Sequence, residues 1–139
     1  MPTTTAAQRR SVAKVKYNAF IAECPSRQLL DRLSDKWVSL VLIALADDAR
    51  RYSELSRTIA GVSQKMLTQT LRSLERDGLL TRSLTPAVPV RVDYRLTPLG
   101  QSLLPVVRLV KQWAEVHMDQ VLFARKQFDN IRDNDHDDA

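Results

Sequence analysis

Lys65, Thr68, Gln69, Arg72 and Arg76 recur at i, i+3, i+4, i+7 and i+11, the spacing that lines up one face of an α-helix. They are donors and hydroxyl groups of the kinds that pair with base edges and phosphates, and this outer face reads as free of acidic residues. Leu67, Leu71 and Leu74 fall at i, i+4 and i+7 on the opposite side. A helix over residues 64–77 would therefore bury one face and offer the other to a major groove about 12 Å wide. The other reactive candidate is Cys24, the chain's one cysteine. It precedes an expected helix start at Ser26 and has Arg27 nearby, both of which favour thiolate, whereas Glu23 works against it. Oxidation of a lone thiol yields a sulfenic acid, an adduct, or a disulfide to another chain or a small thiol. The sequence contains no Gly-rich phosphate loop, no nucleophile with His and carboxylate in a recognised motif, and no Cys/His pattern at zinc-ligand spacing. No catalytic residue, metal or cofactor is expected.

The helix that carries the cationic face needs a scaffold. Ser63 begins it, Gly61 ends the helix before it, and Ser53 is expected to cap that shorter helix with Leu55 and Ile59 on one side. Two helices separated by a turn of about three residues have helix-turn-helix spacing. Residues 36–46, capped by Ser34 or Asp35, are apolar on nearly every side (Trp37, Val38, Leu40, Val41, Leu42, Ile43, Leu45) and read as the central buried helix. Ahead of it lie a short helix from Ser26 with Leu29, Leu30 and Leu33, and another over residues 14–22 with Val15, Ala19 and Ala22 inward. After Gly78, residues 80–84 read as a strand, and residues 85–89 as a tip that Pro86 and Pro89 keep out of ladder pairing. The return strand alternates Val90, Val92, Tyr94 and Leu96 against Arg91, Asp93 and Arg95. Helix, turn, helix and a hairpin with Arg at its base make a winged-helix arrangement, in which Arg82 and Arg91 would lie near the DNA backbone or minor groove.

Thr97-Pro98 opens a long helix to about residue 128, with a kink or a shifted start expected at Pro105. Its apolar surface exceeds what one contact uses. One line runs Leu103, Val107, Val110, Ala114, His117, Val121, Ala124 and Phe128; another runs Val106, Leu109, Trp113 and Val116. One line can close the domain's own core, and the other needs a partner. A homodimer follows, with Val106, Leu109, Val110, Trp113, His117 and Val121 at its interface, because a two-fold pair sets two recognition helices on successive turns of one DNA face. The same surplus, with Trp37 and Trp113, suggests a pocket between the long and central helices for an aromatic or quinone-like effector.

At 139 residues and 44% apolar, the chain is sized for one domain with a real core. Lys and Arg number 21 against 16 Asp and Glu; without the acidic tail 129–139, residues 1–128 carry 20 against 11. That excess suits a polyanion partner. Residues 1–12 and 129–139 are too polar to bury much surface, so a flexible N-terminal arm and a disordered acidic tail are expected around a domain spanning 13–128. The longest nearly apolar run, residues 37–46, is far short of the roughly 20 residues of a membrane span. The N-terminus lacks the apolar stretch of a secretion signal, so a cytoplasmic protein without membrane contact is expected.

Cys24-Pro25, Asp35-Lys36-Trp37, Arg51-Tyr52-Ser53-Glu54-Leu55, Gly61-Val62-Ser63-Gln64-Lys65-Met66-Leu67-Thr68, Leu74-Glu75-Arg76-Asp77-Gly78-Leu79, Val92-Asp93-Tyr94 and Leu96-Thr97-Pro98-Leu99-Gly100 stand in order and at characteristic gaps. Over about residues 24–113 the chain thereby resembles the HxlR-type winged helix-turn-helix regulators of bacteria. The resemblance implies a mainly α fold with a small β-hairpin wing and terminal dimerisation helices. It further implies a homodimeric, sequence-specific DNA-binding transcriptional regulator, more often a repressor, on an operator with two half-sites. Arg51, Ser53, Ser63, Gln64, Lys65, Thr68, Gln69, Arg72, Arg82 and Arg91 would contact double-stranded DNA. In several such proteins a cysteine at the Cys-Pro position senses redox or electrophile stress, and the resemblance carries that role onto Cys24. Ser34-Asp35 departs from a common Gly-Gly, and Val90 from a common second Pro; neither touches the recognition face. The competing reading is a winged-helix protein-interaction module without sequence-specific DNA binding, which would show shallow salt dependence and no preferred sequence.

Overall fold

A helix begins where some group takes over the backbone N–H groups left without intrahelical partners. In the computed structural model, which describes residues 3–137 except the side chains of 19–23, Thr5 and Gln8 do this reciprocally. The Gln8 N–H donates to Thr5 Oγ1 (3.1 Å) and the Thr5 N–H to Gln8 Oε1 (2.9 Å). Helix α1 (Ala6–Glu23) therefore starts inside the segment expected to be a flexible arm. Val15, expected inward, is exposed, while Ala19 and Ala22 lie outside the described side chains. Helix α2 (Pro25–Leu33) is capped by Cys24 and not by Ser26, because Pro25 is already suited to the first helical position. Leu29 and Leu30 are exposed, and only Leu33 reaches the core. Asp35 caps α3 (Lys36–Ala44), its Oδ1 accepting the Trp37 N–H at 2.9 Å.

Helix α3 is the hub of the core. Val38, Val41 and Leu42 are buried together with Leu55 of α4 (Tyr52–Thr58), Ile59 behind it, Leu67, Leu71 and Leu74 of α5 (Gln64–Arg76), and Leu104 and Val107 of α6 (Pro98–Asp137). Arg51, not Ser53, caps α4, since the extended Arg50–Arg51 pair forms strand β1 and the helix starts directly behind it. Gly61 turns the chain, and Ser63 caps α5 with Oγ accepting the Met66 N–H at 3.1 Å. At the far end Gly78 adopts φ +74°, which lets its own N–H reach the Glu75 carbonyl and the Leu79 N–H reach the Leu74 carbonyl.

Strands β2 (Leu80–Thr85) and β3 (Arg91–Leu96) pair antiparallel from Leu80↔Leu96 to Thr85↔Arg91, and β1 joins the other edge of β3. The expected alternation along β3 is present, with Tyr94 and Leu96 buried and Arg91 and Arg95 exposed. Thr97 then anchors α6: its hydroxyl donates to the Gly78 carbonyl (2.6 Å) and accepts the Gly100 N–H (3.1 Å). Helix α6 starts at Pro98, runs through Pro105 without a break, and continues past residue 128 to Asp137. No Gly or Pro follows Pro105 to stop it, so the stretch expected to be a disordered tail is helical to that point. The architecture is mainly helical with a small three-stranded wing sheet. Burial on α6 ends with Val107.

Candidate nucleic-acid interface

Along α5, Gln64, Lys65, Gln69, Arg72 and Arg76 are exposed and Thr68 is half-buried, while Leu67, Thr70, Leu71 and Leu74 are buried. Arg82 of β2 stands opposite Tyr94 in register, so both occupy one face of the sheet. That face turns toward α5. Tyr52, Gln64, Thr68, Arg72, Glu75 and Arg82 line a cleft of about 390 Å³ between helix and wing. Glu75 corrects the expectation of an acid-free outer face: seven residues beyond Thr68, it shares that side of the helix.

Charge pairing divides the arginines. Arg32, Arg50, Arg91 and Lys111 are engaged by Asp77, Glu54, Asp93 and Glu115. Among the described residues no ion pair engages Lys65, Arg72, Arg76 or Arg82, which leaves their charge available to phosphates. Arg91 lies on the opposite sheet face from Arg82, its Nε donating to both Asp93 carboxylate oxygens at 3.1 and 2.9 Å. The structure thus brings Arg82 beside α5 and does not bring Arg91 there. Arg51 is exposed opposite Asp93, and Ser53 is exposed in the first turn of α4. The Ser63 oxygen is occupied as a cap, with its proton still available.

The helical spacing that marks the interface does not mark Tyr52. Its hydroxyl donates to the Gln64 carbonyl at 3.1 Å and lies 3.3 Å from Thr68 Oγ1. The available signal was a phenol on an otherwise core-directed ring, since such a hydroxyl normally finds a partner.

Cys24 is half-buried at the N-terminus of α2. The backbone N–H groups of Arg27 and then Ser26 hold its thiol below the ordinary pKa; burial opposes them, and the Ser26 hydroxyl adds a smaller lowering. The Glu23 side chain lies outside the described residues. On the last turn of the same helix, Arg32 grips Asp77, the C-cap of α5, through Nε–Oδ2 (2.5 Å) and Nη2–Oδ1 (3.3 Å).

Of the residues expected at a dimer interface, Val106, Leu109, Val110 and Trp113 are exposed, and His117 and Val121 are half-buried. The His117 ring stacks on Trp113 with centroids 4.6 Å apart. Trp37 packs against the core, and none of the principal cavities among the described residues is lined by both Trp37 and Trp113. Among the described residues no helix is long and apolar enough to cross a membrane.

This arrangement recurs in known proteins. The HTH-type transcriptional regulator YtfH of Escherichia coli (strain K12) is 43% identical over 110 residues, which are 79% of this chain and 87% of that protein. Among solved structures, the transcriptional regulator ytfH from Salmonella typhimurium superposes with a TM-score of 0.67 at 44% identity, covering 76% of this chain and 94% of that one. The redox regulator HypR in its reduced form gives a TM-score of 0.67 at 35% identity, covering 70% and 97%. The model of the HxlR-like helix-turn-helix family matches residues 32–122, from the end of α2 through the wing into α6. With both helices of the turn, the wing and the start of α6 inside that match, the chain belongs to the HxlR-like helix-turn-helix family of transcriptional regulators.

Proposed function

We propose that this chain acts as a homodimeric repressor that binds a two-half-site operator in double-stranded DNA and responds to redox or electrophile stress through Cys24. The observation that carries the DNA reading is the cleft in which Arg72 of the recognition helix and Arg82 of the wing, neither held by a carboxylate, flank one opening beside exposed Gln64, Lys65 and Gln69. In this reading Gln64, Lys65, Thr68, Gln69 and Arg72 meet base edges, while Arg51, Ser53, Ser63 and Arg82 meet the backbone. Arg91 contributes less, because contact would require it to leave Asp93. The redox reading is supported by the backbone N–H groups of Arg27 and Ser26 that lower the thiol pKa, and by the path from α2 through Arg32 to Asp77 at the end of the recognition helix. A similar fold in a protein described as a redox regulator also supports it.

The test is selection of bound sequences from random duplex DNA at about 150 mM salt, near physiological ionic strength, with and without oxidant. A motif with two half-sites is expected. Arg72→Ala should cost about 1–3 kcal/mol and relax one position, and Arg82→Ala should weaken all sequences alike and reduce the salt slope by about one. Oxidation should release the wild type and spare Cys24→Ser. Failure to enrich any sequence, with shallow salt dependence, would favour a protein-interaction module and overturn the proposal.

A further inference from the structure

Counting protons around Tyr52 determines what one side chain of the recognition helix can offer a base. The phenol has a single proton, and the Gln64 carbonyl oxygen 3.1 Å away only accepts, so the proton lies between them. Were it turned elsewhere, two oxygens would face each other at that distance with no hydrogen between them, which is repulsive. Thr68 Oγ1 stands 3.3 Å from the same phenol oxygen. With the Tyr52 proton directed at Gln64, Thr68 is the group that can donate in this pair. Its only hydroxyl proton is thereby directed back at Tyr52, and lone pairs alone remain on the hydroxyl oxygen of this cleft-lining residue.

We infer that Thr68, held by Tyr52, is a specificity-determining residue that accepts but does not donate. At the base it meets, it selects the exocyclic amino group of adenine or cytosine over the carbonyl oxygen of guanine or thymine. The inference rests on the DNA-binding reading above. A threonine whose hydroxyl rotates freely would serve either kind of base, so the tie to Tyr52 is the source of the selectivity. Tyr52 is the positioning residue and Thr68 the reading residue. Lys65 and Arg72, three residues before and four after Thr68, are donors only, so an acceptor between them complements their chemistry.

The experiment is the same duplex selection carried out with the full-length wild type, Tyr52→Phe and Thr68→Val, each checked for fold by circular dichroism. In the wild type, one position per half-site should favour adenine or cytosine by about tenfold, the discrimination of one hydrogen bond made or lost. In both variants that preference should fall to about twofold or less, while the other positions of the motif keep their preferences. A merely structural role for Tyr52 would instead lower enrichment at every position. Thr68→Val gives an independent reading if Tyr52→Phe fails to fold. Retention of the preference in the folded variants would overturn the inference, as would a Thr68-dependent preference for thymine or guanine. If the wild type enriches no sequence at all, the DNA-binding reading falls first and takes this inference with it.

Discussion

At the residue scale, a cation is useful to a polyanion only if no carboxylate has already engaged it. Arg82 and Arg91 look equivalent in the sequence, two arginines on neighbouring strands of one wing. Register separates them: Arg82 shares a face with Tyr94 and opens onto the recognition helix, and Arg91 points the other way into Asp93. The cationic row on α5 is legible because helical periodicity alone sets it, and the same periodicity puts Glu75 on that face; the Tyr52 hydroxyl contact depends on tertiary packing that periodicity does not encode. Cys24 belongs at this scale too. The Arg27 and Ser26 N–H groups stabilise its thiolate in the folded chain, so its folded pKa lies below the unfolded value of about 8.5. The sign follows: the thiolate contributes stability above the unfolded pKa, and this is lost as pH falls through the folded one. Alkylation by iodoacetamide should therefore reach half its maximal rate at lower pH in the folded protein than in urea. Identical profiles in the two states would show that the helix terminus does not hold the thiolate.

At the element scale, the central helix and the recognition helix follow from strong patterns, an all-round apolar run and a leucine stripe between a serine cap and a glycine stop. Helix starts differ from the expected positions where two signals compete. Pro25 outweighs Ser26 as the opening of α2, and the pairing of β1 with β3 moves the cap of α4 from Ser53 to Arg51. Two-residue β1 has no periodicity to detect, and the Thr5/Gln8 cap of α1 sits in a segment whose polarity argued for disorder. The joint between recognition helix, wing and α6 rests on one glycine. Gly100 is buried, and a Cβ there would collide with the Leu79 carbonyl oxygen and press on the Leu96 side chain at 3.3 Å. Leu79 also accepts the Thr97 N–H, so its backbone has little freedom to retreat. Gly100→Ala should lower stability by about 1–3 kcal/mol, the cost of overpacking a tight contact, read as a shift of the urea midpoint. A midpoint equal to that of the wild type would mean that α6 can slide away from the wing without loss.

At the scale of the whole molecule, the decisive feature is a helix of 40 residues that uses only its first turns for the core. Beyond Val107, Leu109, Val110, Trp113 and Val116 are each more than half exposed, and Leu122, Phe123, Phe128 and Ile131 extend the apolar surface toward the C-terminus. Val12, Val15 and Tyr17 leave α1 similarly uncovered. An apolar surface of this length in water is a contact surface, and a two-fold axis lets the same residues of two chains cover one another. Pairing would also set two copies of α5 at a fixed spacing, so that the second half-site is bound at high effective concentration. Because Val110 is 62% exposed in the single chain, Val110→Glu should leave the monomer fold intact and act only on the pair. Sedimentation equilibrium should then give a monomer with unchanged helix content, and affinity for a two-half-site duplex should fall by about a hundredfold while that for a single half-site stays the same. A dimer that survives Val110→Glu combined with Trp113→Glu would place the pairing surface elsewhere, with the exposed row of α1 the next to be tested.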